Sequence, residues 1–443
     1  MKNFKIAKIQ QQLKDKAIDA LIINRTDEFL NEYIPPDAER LSWATDFSGS
    51  AGRAIINQNT SSLFVDGRYT FQAKEQIDKN MISLLHWNNF SDELKKNFEK
   101  NKCVALDPML HSIEEVNKII ELADENETKL YFTRPNLIDE LWIDKPERKY
   151  SVIFNHPINY AGIDASNKVD QFVKELKSKN LDSYFLSSLD SIAWLLNLRA
   201  DDILHTPLAF SYLFISVESK SVLYISIEKL NNDLKNRLTN FLILKPIEDI
   251  EHVFKNLSKN LKIGFDYKNT SYFFYDLAIN NNLQPSNLQN PCLIPKATKN
   301  EIELDGSRKA HLRDGVSVTK FLYWLKNHHS VEEENEISVA NKLFSFRKSN
   351  ELFHSVSFDS ISAIGKNAAL PHYRANKNNP VSLKNNSIYL SDSGGQYYDG
   401  TTDITRTIIL GKPNKEQIDR FTRVLKGHIN LSAHIFNKGT KGT

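Results

Sequence analysis

Two aspartates, Asp392 and Asp403, stand eleven residues apart on either side of a segment that must turn. Ile388, Tyr389 and Leu390 favour a strand, and Ile404, Thr405, Thr407, Ile408 and Ile409 favour a second one. Gly394, Gly395 and Asp399-Gly400, which lie between them, bend a backbone. The pattern predicts a β-hairpin with one carboxylate on each strand. A turn between Tyr397 and Tyr398 sets Asp392 directly opposite Asp403, where facing Cβ atoms lie about 4.5–5.5 Å apart on one face. A turn at Asp399-Gly400 keeps both on one face but several residues out of register. Carboxylates this close repel unless a cation lies between them or one holds a proton. Divalent-metal binding is the chemistry such a pair offers. Spacing alone leaves open a plain alternative, a polar hairpin with turn-forming aspartates.

The run Asp-Ser-Gly-Gly-Gln-Tyr-Tyr-Asp-Gly-Thr-Thr-Asp-Ile-Thr-Arg-Thr, residues 392–407, resembles the metal hairpin of the pita-bread metallopeptidases. It is most similar to that of the long, three-domain cytosolic aminopeptidase P. The resemblance implies that Asp392 and Asp403 help bind two divalent metal ions, usually manganese. It also gives a role to His372, in Pro371-His372-Tyr373-Arg374, twenty residues before Asp392. Alone, His372 reads as a hydrogen-bonded loop histidine. The matching histidine of the family lines the active site and donates a hydrogen bond to the substrate or the oxyanion. His372 is therefore the candidate catalytic and substrate-binding residue. It can donate in either protonation state if the facing ring nitrogen carries a proton.

The elements that position these residues form three blocks. Residues 1–148 read as an α/β unit, with a helix over 6–13 and strands over 20–23, 52–56 and 63–65. Ser48-Gly49-Ser50-Ala51-Gly52 lacks the Gly-Lys-Ser/Thr of a phosphate loop and is followed by a strand, so it reads as a turn. It is also not the Gly-x-Ser-x-Gly of a serine hydrolase. Glu32-Tyr33-Ile34-Pro35-Pro36, Phe47–Gly52 and Asp66-Gly67-Arg68-Tyr69 resemble the first, non-catalytic domain of the long aminopeptidases P. Asp66 and Arg68 are read as a structural ion pair.

A charged, proline-containing linker ends near Arg148, and a second α/β domain spans 152–295. It carries a helix over 169–176, strands over 183–186, 212–216 and 222–227, and an apolar helical turn over 192–196. Ile192-Ala193-Trp194-Leu195-Leu196-Asn197-Leu198-Arg199 and Phe210-Ser211-Tyr212 resemble the second domain of that family, which shares the fold of the first. His205 reads as a loop histidine. The third block, 296–443, opens on a helix with Thr298 as N-cap and Ala310, Val316, Phe321 and Leu325 on its buried side. His311 and Asp314, three apart, are metal-compatible in spacing but read as an exposed helix pair. A second helix is expected over 332–346, and a last one over about 414–436. The expected class is α/β: two related creatinase-N-terminal-like domains followed by an α+β pita-bread domain.

Composition narrows the partners. Lys+Arg 57 against Asp+Glu 55 argues for no nucleic-acid or membrane partner. Cys103 and Cys292 alone exclude a disulfide framework and a cysteine-based zinc site. The polar residues after Met1 do not read as a signal peptide, and no apolar run is long enough to span a bilayer, so a soluble, cytoplasmic protein is expected.

After Asp403 the only histidines are His428 and His434, six apart on different helix faces, and the only acids are Glu416 and Asp419. The family continues with a histidine-containing strand region and two glutamate ligands, one expected as general base. The expectation is a pita-bread domain incomplete at its C-terminus: half a metal site, apolar surface left uncovered, and a chain inactive alone. A fragment, a disrupted gene and a product completed by a second polypeptide all remain open. By resemblance the activity is removal of an N-terminal residue from peptides with proline second, by an enzyme dimeric when complete. A non-catalytic pita-bread binding protein and a creatinase-like amidinohydrolase are the alternatives. The intact aspartate pair argues against the first, and the match across residues 1–148 against the second.

Overall fold

The computed structural model describes residues 3–328 and 330–442 and falls into two compact units, residues 1–307 and 308–443. Met1, Lys2 and Thr443 lie outside the described residues.

The first unit contains the same sheet twice. Strands β1 (Ala20–Asn24), β2 (Arg53–Asn57), β3 (Ser61–Val65), β4 (Ser83–His86), β5 (Cys103–Leu106) and β6 (Lys129–Phe132) take the order β4-β3-β2-β1-β5-β6. Strands β7 (Ser183–Leu186), β8 (Ser211–Ser216), β9 (Ser221–Ile225), β10 (Leu242–Lys245), β11 (Lys262–Phe265) and β12 (Gln284–Asn287) take the order β10-β9-β8-β7-β11-β12. In both sheets the two pairings among the three central hairpin strands are antiparallel and the outer three are parallel. The central strands are buried on both faces and read as continuous apolar runs, Ala-Leu-Ile-Ile and Ser-Tyr-Phe-Leu, rather than alternating ones. One hydrophobic core joins the two sheets through Phe29, whose ring lies 5.4 Å from Phe210 and 4.6 Å from Tyr212. Arg148 secures the same junction: it pairs with Glu28 and Asp37 and stacks on Phe210. Asp66 and Arg68 form an ion pair at 2.6 Å.

Two basic side chains pack beside the second sheet. Lys168, buried, donates to the Trp194 carbonyl at 2.7 Å and to Asn197 Oδ1 at 2.8 Å. His156 is held neutral: burial, then the charges of Arg199 and Lys168, lower its pKa from 6.5 to about 3. The unfolded chain takes up this proton near pH 6.5, and the folded chain refuses it until about pH 3. His156 therefore removes stability as pH falls through that window. Its partial exposure limits the loss to on the order of 1 kcal/mol at pH 5. The urea midpoint of the first unit is expected to fall from pH 6.5 to 5, and to fall less in His156→Gln. Equal falls would remove His156 from the account.

The helix Glu301–Lys326 begins at Asn300, not Thr298. Asn300 Oδ1 accepts from the amides of Ile302 and Glu303, both at 3.0 Å, and Glu303 Oε2 accepts from the Asn300 amide at 3.0 Å. This is a capping box two residues later than the cap expected. Ala310, Phe321 and Leu325 are buried as expected, but Val316 is exposed and Val318 takes its place. Asp314 is also buried, not exposed, while His311 is exposed. The second helix starts at Glu336, after an Asn335 cap, and runs to Lys348. The core of this second unit is small: Val318, Phe321, Leu325, Val339, Leu343, Ile364, Tyr389 and Leu410 are its main members.

Candidate metal centre

Two three-stranded sheets build the site. One orders β13 (Phe353–Val356), β16 (Gly395–Tyr397) and β17 (Gly400–Thr401); the other orders β14 (Ile361–Ile364), β15 (Ser387–Ser393) and β18 (Ile404–Leu410). The predicted hairpin runs through both, and it crosses between them at Gly394 on the way out and at Thr402-Asp403 on the way back.

Its register differs from the one expected. Asp392 pairs with Thr405, Ser393 with Ile404, and Tyr397 with Gly400, so the turn lies at Tyr398-Asp399 rather than Tyr397-Tyr398. Asp403 falls across from Gly394 and diagonal to Asp392. An even offset keeps two side chains on one face of a ladder. Asp392 lies on the half-open side of β15, alternating with buried Ser391 and Ser393, and its Oδ1 accepts from Thr405 Oγ1 at 2.8 Å. Asp403 is exposed. Partial burial, and then the negative charge of Asp392, push its carboxyl pKa up. The Asp392 charge therefore reaches Asp403, and a cation between the two would relieve the repulsion.

Gly394 lets the strands close at this point. A Cβ there would lie 2.0 Å from the Thr402 carbonyl oxygen and 2.1 Å from Ser357 Oγ. Ser357 Oγ donates to the same carbonyl at 2.9 Å, and the Gly395 amide donates to Thr402 Oγ1 at 2.9 Å. Both contacts fix the backbone beside Asp403.

His372 is half-buried in the turn between Leu370 and Tyr373. The two residues that follow it are tied down. Tyr373 O–H donates to Glu336 Oε2 at 2.7 Å, and Glu336, fully buried, also accepts from the Ile364 amide at 2.8 Å and Asn367 Nδ2 at 3.0 Å. Burial, then Glu336, raises the Tyr373 pKa. Arg374 pairs with Asp359, two residues before Ile361, the partner of Asp392 across β14 and β15. The loop is thus tethered to the strand beside the carboxylates. Among the described residues no group of three His, Cys, Asp or Glu side chains is placed to hold a metal. His205 occupies a turn with φ 66°.

Glu336 and Arg347 drew no reading from the sequence, and Asp314 was read as exposed; all three are buried and hold the site's loops from behind. The signal for Glu336 was an acid opening a helix; nothing local marked Arg347 or the burial of Asp314.

The helix Lys415–Ala433, capped by Asn414, buries none of its residues. It exposes Ile418, Phe421, Val424, Leu425, Ile429 and Leu431. With Ile388, Thr407 and Ile409 of the sheet, Ile418 and Phe421 line a cavity of about 770 Å³.

The sequence matches the creatinase/prolidase N-terminal domain twice, over residues 5–134 and 144–303, and metallopeptidase family M24 over 305–443. The class is that of a creatinase-type α/β protein with a pita-bread metallopeptidase domain. It is 34% identical over 455 residues to "Probable Xaa-Pro aminopeptidase P" of Coccidioides posadasii, covering 99% of this chain and 74% of that protein. The protein of the same name from Talaromyces marneffei is 35% identical, with 99% and 69% covered. Among solved structures, the X-prolyl aminopeptidase of Caenorhabditis elegans, a cytosolic enzyme with a di-nuclear active site, superposes with a TM-score of 0.91 at 29% identity. That match covers 100% of this chain and 75% of the other. The chain belongs to the Xaa-Pro aminopeptidase family.

Proposed function

We propose that this protein is a di-metal Xaa-Pro aminopeptidase of the cytosol, in which Asp392 and Asp403 are metal ligands and His372 binds substrate. The observation that carries the reading is the Asp392/Asp403 pair, one carboxylate on each arm of a single hairpin whose register brings them near each other, in a chain related to these enzymes over 99% of its length. The donor chemistry fits: hard divalent cations take carboxylate oxygens, and here two carboxylates otherwise oppose each other. Mn²⁺ is the ion we propose, and a homodimer the assembly. We place the domain boundaries at 1–148, 152–295 and 296–443.

The substrate sets the problem. An Xaa-Pro bond has no amide hydrogen and takes cis or trans forms, so sites that bind peptides by that N–H fit it poorly. Bound divalent cations lower the pKa of a water and polarise the scissile carbonyl. His372, on its tethered turn, donates a hydrogen bond to the carbonyl oxygen as negative charge gathers there.

Two carboxylates leave most of a hard cation's shell to water. Residues 1–443 taken alone are therefore expected not to release the N-terminal residue of an Xaa-Pro tripeptide, with or without added Mn²⁺. Turnover comparable to that of a full-length relative would mean that the ligands lie elsewhere in these residues. Activity that appears on adding the remaining C-terminal segment of such a relative would support the assignment.

A further inference from the structure

The placing of Asp403 against Asp392 depends on where the hairpin turns, and a shift of the return strand carries Asp403 with it. Two neighbouring residues of the Glu301–Lys326 helix grip that turn. Asp314 accepts from Tyr397 O–H at 2.8 Å and from Arg347, through Nε at 2.7 Å and Nη2 at 3.0 Å. Arg313 makes a two-pronged pair with Asp399 at 3.0 and 2.8 Å, and its guanidinium lies 5.1 Å from the Tyr397 ring centroid. The Asp314 and Arg347 side chains are 2% and 1% exposed, so water does not compete for them.

We infer that Asp314, Arg347 and Arg313 are positioning residues that lock the Tyr397–Asp399 turn and thereby set the diagonal offset of Asp392 and Asp403 for cation binding. This rests on the metal-site reading above and adds the residues that fix its geometry. Sliding the return strand by two residues would bring Asp403 directly opposite Asp392. It would also carry Asp399 out of the turn and off Arg313. The grip therefore selects the diagonal arrangement. Diagonal neighbours stand about 7–8 Å apart, against about 4.5–5.5 Å for facing ones, which leaves room for a cation between two carboxylates. Asp314 and Arg313 touch neither carboxylate; they act through the hairpin.

The test is a Mn²⁺ titration of residues 1–443 by electron paramagnetic resonance, with thermal unfolding measured alongside. Tyr397→Phe removes one hydroxyl without changing shape, and Asp399→Asn weakens the second grip. Each is expected to raise the Mn²⁺ Kd about tenfold, the low end for residues that orient metal ligands. Val339→Ala, in the buried core of the same unit, destabilises without touching the hairpin and is expected to leave Kd unchanged. Variants that bind like wild type overturn the positioning role alone. So does an equal loss in Val339→Ala, which reduces the effect to stability. A wild-type protein that binds no Mn²⁺ overturns the metal site itself, and the inference with it. Should Asp399→Asn not fold, the isosteric Tyr397→Phe decides.

Discussion

Arg347→Met is expected to cost the second unit about 3–5 kcal/mol, because it leaves the Asp314 carboxylate buried without its cation. Arg347 and Asp314 are both buried. Among the described residues, Tyr397 O–H is the one donor to Asp314 that then remains, at 2.8 Å. One neutral donor does not replace a two-pronged charged one. The pair itself is not the source of the stability: its attraction roughly offsets the desolvation of both ions. Arg347→Met with Asp314→Leu is accordingly expected to recover most of the loss. Urea unfolding, followed by amide exchange in the Ser387–Ser393 strand, measures both. A single variant as costly as the double would show that shape, not the stranded charge, is responsible.

The second large effect is at Glu336. Its two oxygens satisfy the Ile364 amide, Asn367 and Tyr373, and its side chain is fully buried. Glu336→Leu leaves the Ile364 amide and the Tyr373 O–H without an acceptor, while Asn367 Nδ2 keeps its bond to the Tyr373 oxygen at 2.9 Å, and is expected to cost about 2–4 kcal/mol. Glu336→Gln keeps an acceptor oxygen and is expected to cost about half as much. The leucine variant also releases Tyr373, the residue after His372. Amides over residues 366–375 should then exchange faster than those of the neighbouring sheet. Unchanged exchange in that loop would mean that Glu336 does not hold it.

The strands with one-sided or fully apolar patterns were legible in the sequence. The strand Ser183–Leu186 has the bounds its residues predict, and the strand Ala20–Asn24 differs by one residue. The hairpin was legible as a hairpin, but its turn was not. Glycine and aspartate make several neighbouring turns acceptable, and the choice falls to Arg313, 86 residues from Asp399. The burial of Asp314 was hidden for the same reason, since its partner Arg347 lies on another helix. Two misplacements were avoidable. Counting 3.6 residues per turn from Ala310 puts Val318, not Val316, on the buried stripe. The helix start spelled two overlapping capping boxes, Thr298 with Glu301 and Asn300 with Glu303. Glu303 also accepts from Trp194 Nε1 at 3.3 Å, a contact only the folded chain reveals. His372 and the aspartates were found by resemblance; their types and spacing alone left a bland reading standing.

The central claim is that Asp392 and Asp403 together hold a divalent cation. Calorimetric titration of Mn²⁺ into residues 1–443, wild type against the Asp392→Asn/Asp403→Asn double variant, tests it most directly. The account predicts weak, saturable binding by the wild type, with Kd on the order of 10⁻⁴ to 10⁻³ M as for sites poor in charged ligands, and no saturable binding by the double variant. Wild-type binding that survives the loss of both carboxylates would contradict it.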